Sequence, residues 1–155
     1  MIIRLEHVAL SVADLERSRR FYEQVLGMRT ERVIECPSER GLGEVVGLAD
    51  CSARIAHLYH GDFMLELFEY QDPRGAPIPP RRTQADQGWV HIGFRSDDIH
   101  ADVTRLQEHG VEFFSSPVEF RPGVWVVYFW GPDREVLELR QLPPADQGPP
   151  AGAAN

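Results

Sequence analysis

Two histidines and two glutamates recur in this chain in the same setting. His7 lies in Leu5-Glu6-His7-Val8-Ala9-Leu10-Ser11-Val12, and His91 in Trp89-Val90-His91-Ile92-Gly93-Phe94-Arg95. Each stands seven residues before an aspartate able to cap a helix, Asp14 or Asp98. Each half later ends in an apolar strand with a central glutamate, Met64-Leu65-Glu66-Leu67-Phe68 and Val136-Leu137-Glu138-Leu139-Arg140. Two imidazoles and two carboxylates are a donor set for a borderline divalent cation such as Ni, Co, Zn, Mn or Fe. A lone polar side chain between apolar neighbours is costly to bury. Convergence of His7, Glu66, His91 and Glu138 on one cation would remove that cost for all of them.

The elements that must position these residues follow from side-chain alternation. A strand sends successive side chains to opposite faces. His7 therefore shares a face with Leu5, Ala9 and Ser11, and Glu66 with Met64, Phe68 and Tyr70. His91 shares one with Trp89, Gly93 and Arg95, and Glu138 with Val136 and Arg140. The opposite faces are aliphatic and suit a covering helix. The pattern predicts a strand over 5–12, a helix over 15–26 ending at Gly27, a strand over 29–36, mostly loop over 37–50, and a hairpin of 52–59 with 63–70 about Gly61-Asp62. After a Pro-rich stretch the programme restarts: strand 89–95, helix 99–109 ending at Gly110, then strands near 111–115, 124–130 and 135–141.

The expected class is α+β: two βαβββ modules side by side, their sheets rolled into a half-closed cup with helices outside. The expected boundaries are a first module at 1–71, a linker at 72–88, a second module at 89–142 and a disordered tail at 143–155.

Composition removes several function classes. The chain has 155 residues and a formal charge of -8, which argues against a nucleic-acid or anionic-membrane partner. No apolar run approaches the roughly 18 residues that span a bilayer. The start, Met1-Ile2-Ile3-Arg4-Leu5, does not read as a secretion signal, so the cytoplasm is the expected location. Cys36 and Cys51 do not make a disulfide framework. All 16 basic side chains are arginine, which excludes Schiff-base lysine chemistry and a P-loop.

His7-Val8-Ala9-Leu10-Ser11-Val12-Ala13-Asp14-Leu15, with Ser18, Phe21-Tyr22 and Leu26-Gly27-Met28, resembles the first signature of glyoxalase I. To about Gln141 the chain resembles the vicinal oxygen chelate superfamily, which includes glyoxalase I, methylmalonyl-CoA epimerase, extradiol dioxygenases and bleomycin or fosfomycin resistance proteins. The resemblance implies paired βαβββ modules holding a metal, and carries the ligand roles onto His7, Glu66, His91 and Glu138.

It also implies a metal-dependent isomerase or lyase of the glyoxalase or epimerase type. Such an enzyme polarises a small carbonyl compound so that an enolate forms, and a carboxylate moves the α-proton. Glu138 or Glu66 is the expected base; Glu44 and Asp50 are acids in the preceding loop that could replace them. The expected substrate pocket is Phe68, Tyr70, Trp89, Arg95, Tyr128 and Trp130, with Arg95 and Arg140 as partners for a carboxylate or phosphate. Two departures count against a glutathione-derived substrate: Ser11 stands where the signature often has Arg, and Gly131-Pro132-Asp133-Arg134 lacks the usual turn glycine.

Two alternatives remain at this stage: an iron-dependent extradiol dioxygenase, and a non-catalytic binding or resistance protein for an aromatic small molecule. A homodimer is expected. His57, His60, His100 and His109 read as surface or helix-end residues, and Arg17, Arg19 and Arg20 as a solvated helix face.

Overall fold

The structure is a computed structural model and describes residues 1–146. The chain divides into two compact units, Met1–Pro77 and one beginning at Ile78.

In the first unit β1 (His7–Ser11) leads into α1 (Leu15–Arg20). Asp14 caps that helix, its carboxylate accepting from the Arg17 N–H at 2.9 Å. The helical path continues through Phe21–Val25 as wider π-type turns. Gly27, at φ 73°, then closes it where any side chain would be strained. Tyr22 within these turns is fully buried, as are Leu15 and Ser18 of α1. β2 (Arg29–Cys36) follows, then a 3-10 turn at Ser38–Arg40 and the short α2 (Leu42–Val46). The segment read as mostly loop thus holds a helix, but five residues are too few to display a helical period. β3 (Ser52–His60) and β4 (Phe63–Asp72) form the expected hairpin.

The sheet order is β1-β4-β3-β2, with β1 parallel to β4 and the other pairs antiparallel. Ala56, Leu58, Leu65 and Leu67 are completely buried on one face, and α1 packs on β3 and β4. Each such leucine contributes roughly 1.5–3 kcal/mol through burial. His57 and Glu66 belong to the other face, because they are register partners one step away from Leu58 and Leu65.

The second unit repeats the plan. β5 (Ile92–Ser96) is followed by α3 (Ile99–Glu108), which Asp98 caps by accepting from the Ala101 N–H at 3.0 Å. β6 (Val118–Arg121), β7 (Val124–Trp130) and β8 (Val136–Gln141) complete a sheet ordered β5-β8-β7-β6. Again the first and last strands are parallel. Leu137, Leu139, Val127 and Phe129 are buried on one face, and α3 buries Ile99, Val103 and Leu106.

Two expectations need correction here. β5 starts at Ile92, so Trp89 and His91 precede the strand, and Trp89 is 85% exposed. No strand occupies 111–115; that stretch makes only an isolated bridge, Phe113 to Phe129, flanked by Phe114 N–H to Tyr128 O at 2.9 Å. Ser115-Ser116-Pro117 interrupts the ladder, since proline has no N–H to donate. Pairing with β7 resumes at Val118.

The expected tail is described only as far as a 3-10 turn at Pro144–Asp146; the remainder lies outside the described residues. Among the described residues, no helix is long and apolar enough to cross a membrane.

Candidate functional site

Each unit brings its predicted histidine and glutamate together through the parallel pairing of its first and last strands. In the first unit Ala9 is the register partner of Glu66, and in the second Gly93 is that of Glu138. Each histidine lies two residues before that small partner. Its side chain therefore reaches along the face to the carboxylate. His7 Nε2 is 3.2 Å from Glu66 Oε2, and His91 Nε2 is 2.8 Å from Glu138 Oε2. Gly93 borders the second carboxylate: a Cβ there would lie 3.5 Å from Glu138 Oε2, an ordinary contact.

These separations suit an ion. Two donors each about 2.1 Å from one cation and at right angles to each other lie about 3.0 Å apart. The donor types suit it too, and the His7 ring has a further carboxylate on its other nitrogen, Glu6 Oε2 at 3.4 Å from Nδ1. His91 Nδ1 is buried and has no hydrogen-bond partner, so the polar contact of that ring is with Glu138. The predicted ligands come together as one pair per unit; among the described residues no group of three or more His, Cys, Asp or Glu forms a ready ion cage.

One residue of the first pair's surroundings went unread in the sequence. His57, expected at the surface, is 7% exposed and sits opposite Glu66 on β3. Its Nε2 is 2.9 Å from Glu66 Oε1, and its Nδ1 accepts from Arg32 Nε at 3.1 Å. The signal was present in the hairpin. Once His60 pairs with Phe63 across Gly61-Asp62, counting back places His57 against Glu66. His60, His100 and His109 are exposed as expected, His100 edge-on to Trp125.

In the second unit Tyr128 takes the place opposite Glu138, its ring 5.0 Å from the His91 ring. Burial, and then the Glu138 charge, push its phenol above the ordinary tyrosine range.

The other expected pocket residues divide. Phe68 stacks on Tyr70 at 5.8 Å, both half-buried. Trp130 packs on Phe114 at 4.3 Å and under the Arg134 guanidinium at 4.0 Å. Arg134 adopts φ 67°, the left-handed conformation that the missing turn glycine would have taken. Arg95 and Arg140 are exposed register partners on adjacent parallel strands, one alternation step beyond Gly93 and Glu138. Glu44 and Asp50 line a shallow surface hollow with Ser38 and Glu39.

The family model for the glyoxalase/bleomycin resistance protein/dioxygenase superfamily matches residues 4–139. The chain belongs to that superfamily. The uncharacterised protein YwkD of Bacillus subtilis is 28% identical over 138 residues, which is 87% of this chain and 94% of YwkD. Human mitochondrial methylmalonyl-CoA epimerase is 28% identical over 117 residues, covering 75% of this chain and 59% of the epimerase. A crystal structure of a glyoxalase family protein from Bacillus cereus superposes with a TM-score of 0.83 at 23% identity, covering 92% and 97% of the two chains. That likeness establishes the fold, which a superfamily of several chemistries shares.

Proposed function

We propose that this superfamily member is a divalent-metal-dependent isomerase or lyase of the glyoxalase or epimerase type, acting on a small carbonyl compound. The observation that carries the reading is the repetition of one His–Glu pair at one strand register in both units, each pair with an internal separation suited to two donors of an ion. In this reading His7, Glu66, His91 and Glu138 together hold Ni, Co, Zn, Mn or Fe. A bound ion of this kind supplies Lewis acidity, polarising a carbonyl oxygen and acidifying the neighbouring C–H.

The chain's own residues supply the rest. A carboxylate takes the α-proton and returns it to a neighbouring position or to the opposite face. Glu138 and Glu66 are the candidates. Glu66 is held from two sides, by His57 and His7, whereas Glu138 has His91 as its close partner. Glu138 is therefore the freer of the two to exchange a proton with substrate. Arg95 and Arg140, like charges at adjacent positions, bind a carboxylate or phosphate on the substrate. Phe68, Tyr70, Trp89, Tyr128 and Trp130 supply apolar contact. The same reading makes the protein a cytoplasmic homodimer.

The deciding experiment combines elemental analysis of untagged protein with solvent-deuterium incorporation into glyoxals and acyl-CoA epimers. Expected are about one metal ion per chain and isotope exchange at the α-carbon. Glu138→Gln is expected to lose both metal affinity and exchange. Iron with oxygen uptake on catechols would replace the reading with ring cleavage. A chain that takes up no metal on titration would replace it with a binding protein.

A further inference from the structure

The first unit carries a row of side chains across all four strands: Arg32 on β2, His57 on β3, Glu66 on β4 and Ala9 on β1. The order of donors along it is dictated by chemistry. A guanidinium has N–H groups and no acceptor, so the Arg32 Nε–H at 3.1 Å requires a bare lone pair on His57 Nδ1. The proton of the neutral ring is then on Nε2, the nitrogen 2.9 Å from Glu66 Oε1. His57 thus donates to one carboxylate oxygen, leaving Oε2 toward His7 at 3.2 Å.

A backbone irregularity puts Arg32 there. β2 pairs Arg29 with Tyr59 and Thr30 with Leu58, which would bring Glu31 against His57. The register shifts between Thr30 and Arg32, so Arg32 pairs with His57 instead. A carboxylate at that place would instead accept from Nδ1–H, so that Nδ1 would carry a proton. The bulge exchanges an acceptor for a donor and so chooses the tautomer.

We propose that His57 is a positioning residue, set in its Nε2–H tautomer by Arg32 and the β2 bulge, which locks the Glu66 carboxylate with one oxygen committed and the other presented for ligation. The ligation part rests on the reading of Glu66 as a metal ligand; the tautomer and the lock do not. Partners behind a ligand typically alter metal affinity by about 10–100-fold when removed. The second unit has Tyr128 in this place, so the device belongs to Glu66 alone among the proposed ligands.

The test has two readouts. Long-range 1H–15N correlation spectra of the full-length, metal-free protein report the protonated nitrogen of His57. Competition titration with Co(II) and Ni(II) reports affinity. Expected are a protonated Nε2 and bare Nδ1 in the native chain, and a protonated Nδ1 in Arg32→Glu. His57→Phe and Arg32→Glu should bind metal about 10–100-fold more weakly, with Arg32→Lys near native. Arg32 is exposed, so its variants test the device even where His57→Phe fails to fold. A native His57 protonated on Nδ1 overturns the inference. So does unchanged metal affinity in Arg32→Glu. If the native chain binds neither ion, the metal reading of the site falls, and the tautomer spectrum alone decides the lock.

Discussion

Tyr128 stands opposite Glu138 on the β7–β8 ladder, the station that His57 holds opposite Glu66. The two carboxylates therefore live in different surroundings although their strands match. One has a hydrogen-bond donor across the ladder; the other has a phenol ring that also packs on His91 at 5.0 Å.

The phenol makes alkaline stability testable. Burial, followed by the Glu138 charge, raises the Tyr128 pKa, and burial, followed by Cys51, raises that of Tyr70. The folded chain then keeps these protons at pH values where the unfolded chain has begun to lose them. Stability is accordingly retained below roughly pH 10, the ordinary tyrosine value, and falls as pH rises beyond it. Tyr128→Phe and Tyr70→Phe should each move the alkaline unfolding midpoint of metal-stripped protein upward, followed by circular dichroism. A midpoint that stays put or falls in both variants would contradict the assignment.

Gly93 separates space from fold. A Cβ there would meet Glu138 Oε2 at 3.5 Å, an ordinary contact, so Gly93→Ala should keep native metal affinity. Gly93→Val adds branches directed at the carboxylate and should weaken binding by about tenfold or more, the scale of disturbing a ligand's support. Its thermal midpoint should change far less, because position 93 is exposed and not part of the apolar layer. Equal metal affinity in all three proteins would mean that Glu138 does not ligate.

Acid sensitivity has its own source, away from the candidate ligands. Arg54 Nη2 meets Glu16 at 2.9 Å, its Nε meets Glu35 at 3.0 Å and its Nη1 meets Glu69 at 3.5 Å, tying α1 to β2, β3 and β4. The Glu16 pKa is lowered by its hydrogen bond from Arg19, then by that from Arg54. The stabilisation is present above the ordinary glutamate range and is lost as pH falls through the lowered value. The groups are partly exposed and screened, so Arg54→Met should cost about 1 kcal/mol or less at neutral pH. The gap between native and variant should narrow toward acid pH in denaturant titrations. A gap that widens there would assign the effect to packing of the arginine stem.

Much of this was legible because it depends on local patterns. The offset from His7 to Asp14 and from His91 to Asp98 identified strand, cap and helix in both halves, and both aspartates do cap. Alternation placed Glu66 and Glu138 away from the buried leucines. His57 was missed because a histidine among Ile55, Ala56, Leu58 and Tyr59 has no meaning until the hairpin register is applied across strands. The β2 bulge and the π-type turns at Phe21–Val25 each add or redirect one residue, a change smaller than any periodic signal resolves. The break at Ser115-Ser116-Pro117 was a matter of hydrogen-bond supply, which apolar content at Phe113 and Phe114 concealed.

The parallel pairing of first and last strands has a consequence for how the protein is made. Residue 7 leaves the ribosome long before residue 66, and residue 91 long before residue 138. Neither His–Glu pair exists while its closing strand is still unsynthesised, and such distant closures are among the slower events in a folding chain. A nascent chain that has not reached residue 66 therefore has neither pair, and one that has passed residue 66 but not residue 138 has only the first. Paired donors appear with the last strand of each unit, so on the proposed reading full occupancy would report that both sheets have closed.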